Sequence, residues 1–285
     1  PWCCLGFVLL ASCQTPRPPS PGELLHRSQP ILGTFVTISA CGRDRAHLDD
    51  AVSDAFAEIR RIDGLMSLHR PDSELSKVNA LAAREPVTVS SDLFRVFDAA
   101  QKVAAQTEGA FDMTIRPLAN LWGFIWKEYR LPDETELKRV LPSVDHRLVQ
   151  LDSKSRSVRF LAEGVSVDLG GIAKGYAVDC AIEKLRSLGV TNAMVKAGGD
   201  LRVIGAPPGK TCWEVQLEDP QKRGKRITIP LRDAALSTSG NYENYFIVQG
   251  RRYSHILDPR TGIPVQGIAA CTVIRQTCME SDAWA

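Results

Sequence analysis

Beyond residue 147 the sequence breaks into short strand-length runs interrupted by one helix-length stretch, and this uneven mixing is what most limits the fold. Residues 147–151 and 157–161 flank a polar turn at 152–156, which predicts a hairpin. Residues 165–169 read as a third strand. It leads into a helix over about 172–188, whose Ala173, Ala177, Ala181, Leu185 and Leu188 share one face and which ends at Gly189. Strands are expected again at 193–196, 201–204, 213–217, 227–230, 245–249, 252–257 and 270–274. In the first half, residues 29–40 read as a strand with a turn at Gly33. Leu48, Val52, Phe56, Ile59, Ile62 and Met66 mark one face of a helix over 47–67, and a second helix covers about 92–106, capped by Ser90 or Ser91. A short helix is expected at 133–140. Helices and strands mix without a βαβ rhythm and no internal repeat is present, so the class is α+β.

The front of the chain reads differently. Leu5-Gly-Phe-Val-Leu-Leu-Ala11 is too short to span a bilayer, which takes about 20 residues, but suits the apolar part of a secretory leader. Leu10-Ala11-Ser12-Cys13 has the form of a bacterial lipoprotein cleavage box, in which the cysteine sulfur receives the lipid; a buried strand with a chance cysteine is the other reading. Four prolines between Gln14 and Gly22 favour a tether there. Residues 1–13 are thus expected as a lipoprotein signal segment lacking its usual Met and basic start, 14–28 as a Pro-rich tether and 29–285 as the folded domain.

Charge excludes one class of partner. Lys and Arg exceed Asp and Glu by only two (35 against 33), and the basic residues are scattered, so nucleic acid is not an expected ligand. Of the eight cysteines, the five beyond the leader stand far apart with no CxxC pair, which leaves a zinc site unsupported.

The chemistry-bearing residues collect at the ends of the later elements. Asp168-Leu-Gly-Gly-Ile-Ala-Lys174 is a strand, a glycine turn and a helix start, a place where backbone amides and a lysine suit a phosphate. Three further polar loops follow: Gly198-Gly199-Asp200, Ser237-Thr238-Ser239-Gly240 beside a turn, and Ser254 to Gly262, with His255 and Asp258. Singly each is ordinary turn chemistry. Together they supply hydroxyls, a base, carboxylates and a lysine, the set that phosphoryl transfer needs.

These motifs, with Gly33-Thr34, Ser73-Glu74-Leu75-Ser76 and Asn79, Gly109-Ala110-Phe111-Asp112, Arg116-Pro117-Leu118 and Leu121-Trp122-Gly123-Phe124, resemble the ApbE family of FAD:protein FMN transferases from about Leu32 to the last residue. The resemblance implies mixed sheets and helices in two subdomains with a cleft for FAD, and Mg²⁺ at the pyrophosphate. It places Leu32, His69, Ala110, Phe111, Asp112, Asp168, Lys174 and the backbone of Leu257 at FAD. It gives Mg²⁺ the carbonyl of Gly171 and the carboxylate of Asp282, with a threonine four residues further on, past the end of this sequence. His69 stands where the family often has a Tyr or Trp against the isoalloxazine ring, and its smaller face implies weaker stacking. Leu32 replaces a common Met at similar volume.

The implied reaction moves FMN from FAD to a Ser or Thr hydroxyl of a target flavoprotein and releases AMP. His255 is the expected base, oriented by Asp258, with Lys174 at a pyrophosphate oxygen; a structural histidine holding its turn is the bland alternative. Two other functions stay open: a metal-dependent FAD pyrophosphatase, and a non-catalytic FAD-binding lipoprotein. The expected acceptor belongs to a membrane electron-transfer complex, and the expected location is the cytoplasmic membrane, lipid-anchored and facing the periplasm.

Overall fold

The computed structural model describes residues 22–219 and 224–285. The signal segment read at 1–13 and the tether as far as residue 21 lie outside the described residues. The described chain opens as a hairpin of β1 (Glu23–Ile31) and β2 (Thr34–Gly42), paired without a break from Glu23 opposite Gly42 to Ile31 opposite Thr34. Residues 23–28, read as tether, are therefore strand. Pro30 is tolerated because β1 is an edge strand. The hairpin turn is Leu32-Gly33, both at positive φ (59° and 68°), the backbone hand that matches strand twist. A leucine rarely adopts it; here its side chain packs against the main core.

Helix α1 (Arg45–Met66) follows, capped by the Asp44 carboxylate, which accepts from the His47 amide. It buries the stripe that its spacing predicts, from Leu48 to Met66. Then come α2 (Glu74–Leu81), β3 (Val87–Thr88), α3 (Ser91–Gln106), α4 (Arg116–Leu121) and α5 (Glu134–Val140). Ser90 caps α3, and Asp133 and Glu136 close a reciprocal capping box on α5. The second half runs β4 (Val149–Asp152), β5 (Ser157–Phe160), α6 (Ala173–Ser187), β6 (Asn192–Ala197), β7 (Asp200–Ile204), β8 (Trp213–Glu218), β9 (Arg226–Leu231), β10 (Ala234–Gly240), β11 (Tyr245–Val248), β12 (Arg251–Ser254), β13 (Ala270–Arg275) and α7 (Cys278–Trp284).

One antiparallel sheet in the order β1-β2-β6-β7-β10-β13 organises the molecule. Its period-two alternation serves two cores. Val36, Ile38, Val195, Ala197 and Ala235 face α1 and α6, while Cys41, Leu201, Val203 and Leu236 face the β8–β9 hairpin through Trp213, Val215 and Leu231. A third, aromatic core joins α4 to β11 and β12. Leu118, Trp122, Phe124 and Leu257 are buried there, with Trp122 stacked on Tyr253 at 5.7 Å between centroids and its Nε1 donating to the Gly262 carbonyl at 2.8 Å. The α+β class holds, with one large core and two smaller ones.

Two further segments depart from the sequence reading. Residues 165–169 are not a ladder strand. The Asn79 side chain takes the part of a neighbouring strand, accepting from the Val167 amide at 2.7 Å and donating to its carbonyl at 3.0 Å. Residues 237–240, read as hydroxyls beside a turn, belong to β10, where Ser237 is fully buried and shares a hydrogen bond with Ser281 of α7 at 3.0 Å.

α7 comes so close to α6 that only glycine fits at position 175. A Cβ there would stand 2.3 Å from the Cys278 carbonyl and 2.8 Å from the Asp282 Cβ. Gly175→Ala must therefore push α7 away, and is expected to destabilise the fold by about 1–3 kcal/mol, read as a lowered midpoint in thermal unfolding. An unchanged midpoint would mean that the two helices are not in this contact.

Candidate active site

Asp168 enters the site on a backbone anchored from two sides. Asn79 holds Val167, and the Asp168 amide donates to the Met113 carbonyl at 2.8 Å. The Asp168 carboxylate accepts from the Gly170 amide at 2.7 Å, closing the turn. Packing of protein around this carboxyl raises its pKa, offset in part by Arg116, His69 and Lys174, whose charges all reach it. The glycine turn is less open to an anion than its sequence implies. The amides of Ile172 and Ala173 go to the Leu169 carbonyl, and that of Gly175 goes to Asp282 Oδ2 at 2.9 Å. Gly171 is exposed and lies against the Phe111 ring.

Lys174, in the first turn of α6, is the centre of the site. Its ammonium donates to Asp200 Oδ2 at 2.7 Å and sits 3.5 Å from Asp282 Oδ1. Both carboxylates are almost fully buried, while Lys174 keeps a third of its side chain open. One ammonium cannot neutralise two buried carboxylates. The Asp282 carboxyl is accordingly pushed up to about 7, by burial first and by repulsion from Asp200. Burial works to lower the Lys174 pKa, but the two acids outweigh it and hold the ammonium well above its ordinary value. Asp200, which the sequence suggests as a loop-former, is thus the lysine's nearest partner. Its sole signal in the sequence is its place after two glycines at a strand start.

His255 follows β12. Its backbone amide and its ring Nδ1 both point to the Asn244 carbonyl, at 2.9 and 3.1 Å. A carbonyl can only accept, so Nδ1 carries the proton and Nε2 keeps its lone pair. Surrounding protein lowers the imidazole pKa despite the ring's open side; the Asn244 carbonyl opposes this and Lys174 adds to it. Asp258 does not orient the ring. Its carboxylate accepts from Arg260 Nε at 2.9 Å and from the Arg260 amide at 3.0 Å.

The other expected site residues divide. His69 is exposed and meets Trp126 edge-on at 5.6 Å. Ala110 is exposed, but the Asp112 carboxylate is consumed inside the protein, accepting from Thr114 twice and from the His146 amide at 2.7 Å. It stabilises the wall of a cavity of about 330 Å³ that Gly109, His146, Pro259 and Arg260 also line. Leu257 is buried in the aromatic core, its backbone bridged to Pro264, and Leu32 stays at its hairpin turn. Asp179 has a part that sequence alone does not suggest. It accepts from the first two amides of α7, Cys278 at 2.9 Å and Met279 at 2.8 Å, and pairs with Arg202 at 2.9 Å, fixing the helix that carries Asp282.

Among the described residues no three His, Cys, Asp or Glu side chains converge as a metal cluster. The surplus negative charge of Asp200 and Asp282 over Lys174 nevertheless suits a hard cation held by mixed oxygen donors, a carboxylate together with backbone carbonyls.

Fold and site together define an α+β protein in which a part-exposed lysine shared by two buried carboxylates lies within electrostatic reach of a histidine with a free Nε2. The ApbE family profile matches residues 32–285, and the chain belongs to the ApbE family. It is 35% identical to the FAD:protein FMN transferase of Vibrio cholerae, over 98% of this chain and 84% of that one. It is 32% identical to the Haemophilus influenzae protein of the same name, over 96% and 81%. Its fold matches the crystal structure of the ApbE protein from Thermotoga maritima with a TM-score of 0.84 at 34% identity, and flavin transferase ApbE from Vibrio cholerae with 0.81 at 33%. Each alignment covers 92% of this chain and 85% of the other.

The raised Asp282 carboxyl has a consequence for stability. Between its ordinary pKa of 3.8 and about 7 the folded state holds a proton that the unfolded state has lost, so this group's contribution falls as pH rises through that window. Asp282→Asn keeps the neutral form at every pH. The melting temperature of the wild type relative to this variant is expected to decline from pH 5 to pH 8, and a constant difference would contradict the assignment.

Proposed function

We propose that this chain transfers FMN from FAD to a Ser or Thr hydroxyl of a target flavoprotein, with Mg²⁺, and releases AMP. The observation that carries this reading is the tautomer of His255. The Asn244 carbonyl fixes the proton on Nδ1 and leaves Nε2 unprotonated beside the Lys174 cluster. The curated relatives named FAD:protein FMN transferase, which align over nearly the whole chain, support the same reading.

A serine or threonine hydroxyl is a weak nucleophile near neutral pH, so a base must take its proton as the new bond forms. His255 Nε2 receives that proton. The hydroxyl oxygen bonds to the FMN-side phosphorus, the bond from that phosphorus to the bridging oxygen breaks, and AMP departs with the electron pair. Lys174 spends two of its three N–H groups on Asp200 and Asp282 and offers the third to a pyrophosphate oxygen. Asp282 and the Gly171 carbonyl are the groups that would hold Mg²⁺, which when bound neutralises charge on the phosphate oxygens. The exposed faces of Ala110 and His69 and the ring of Phe111 line the path a flavin nucleotide would follow. The proposed setting is the outer face of the cytoplasmic membrane, with a lipid anchor at Cys13 and an acceptor in a membrane electron-transfer complex; the leader-like composition of residues 1–13 supports it.

The test is direct. Incubated with FAD, Mg²⁺ and an acceptor flavoprotein, the protein should leave covalent flavin fluorescence on the acceptor in a denaturing gel. His255→Ala should reduce transfer at least a hundredfold while FAD binding persists, the usual scale for losing a general base. Because the folded imidazole loses its proton more readily than a free one, the midpoint of the acid-side decline in wild-type transfer should lie below pH 6.5. AMP release without acceptor labelling would favour FAD hydrolysis, and FAD binding without AMP would favour storage.

A further inference from the structure

The charge count around Lys174 leaves a phosphate ligand under-served. The ammonium is already outnumbered by Asp200 and Asp282, and the turn amides of Ile172, Ala173 and Gly175 have protein acceptors. A second cation is at hand. Arg116, the first residue of α4, follows three residues after Met113, whose carbonyl accepts from the Asp168 amide, so the backbone anchors α4 to this segment and the Asp168 carboxyl feels the guanidinium's charge. Yet Arg116 pairs with no carboxylate among the described residues, and its Nε is buried with no hydrogen-bond partner. Other arginines behave otherwise: Arg70 is paired with Asp72, Arg147 with Asp145 and Arg260 with Asp258. A guanidinium with no protein acceptor is costly to keep half-buried, and the cost falls when an anion accepts from its remaining N–H groups.

We propose that Arg116 is a binding residue for the pyrophosphate of the dinucleotide, its planar fork taking the phosphate oxygens that Lys174 is not free to neutralise. The assignment rests on the FAD reading for the identity of the ligand; the anion site itself does not. Guanidinium suits the task because it presents parallel N–H donors to two oxygens at once and stays charged at every working pH. Asp168 lies within electrostatic reach of the guanidinium but forms no ion pair with it that would have to be broken.

Equilibrium binding of FAD, riboflavin and inorganic pyrophosphate to the wild type, Arg116→Ala and Arg116→Lys tests this, with thermal unfolding to check that each variant folds. Arg116→Ala is expected to weaken FAD and pyrophosphate by roughly ten- to a hundredfold and to leave riboflavin unchanged. Arg116→Lys should recover part of the loss, since it restores the charge but not the fork. FAD and pyrophosphate binding equal to the wild type's would overturn the proposal, as would an equal loss for riboflavin, which has no phosphate. Pyrophosphate binding that depends on Arg116 in a protein that ignores FAD would uphold the anion site and sink the FAD reading instead.

Discussion

Everything at the centre of this protein depends on one ammonium shared between two buried carboxylates. Lys174 comes from α6, Asp200 from the start of β7 and Asp282 from α7, so a single charge cluster ties together three elements far apart in the sequence. Buried charges persist only when paired, and here the pairing is incomplete by one unit. The imbalance is chemically useful. It raises the proton affinity of Asp282 and favours a further cation near the pair. A symmetrical ion pair in the same place would have stabilised the fold more and offered the ligand less.

The second half of the site belongs to a different core. His255 and the loop to Gly262 are mounted on the aromatic layer of Trp122, Phe246 and Tyr253, and Trp122 Nε1 grips the Gly262 carbonyl directly. His255 and Lys174 therefore sit on separately packed units. Rings stacked at 5.4–5.7 Å pack this unit together with the aliphatic side chains of α4 and α5.

The long helices and most strands are legible in the sequence because their apolar spacing is regular. α1 and α3 bury the stripes that their periods mark, and Asp133 with Glu136 announces α5. What escaped that reading obeys other physics. β10 carries Ser237, Thr238, Ser239 and Gly240, turn-like by composition, yet Ser237 is small because it packs on Cys278 and Ser281 of α7, and Thr238 bonds across to Thr272 of β13. Residues 165–169 alternate like a strand but find their hydrogen-bond partner in the Asn79 side chain, a contact 88 residues away in sequence. Glu23 to Ser28 lacks a clear strand signal of its own and is ordered by pairing with β2. In the site, the family motifs locate Lys174, His255 and Asp282, while Asp200, read as part of a polar loop, gains its pairing with the lysine only through the fold. Asp258 shows the converse: near His255 in sequence, it is spent on Arg260.

The clamp of Asp179 on the first amides of α7 has a geometric meaning beyond strength. A helix turns about 100° per residue, so sliding α7 by one position would swing Asp282 a quarter-turn or more away from Lys174. By gripping the amides of Cys278 and Met279, Asp179 sets the rotational phase of the helix from one turn upstream. Asp179 and Lys174 stand five residues apart on α6, so one helix dictates both where the acid must point and what it meets there. The protein thus aims its key carboxylate by phasing two short rods against each other rather than by shaping a loop around it.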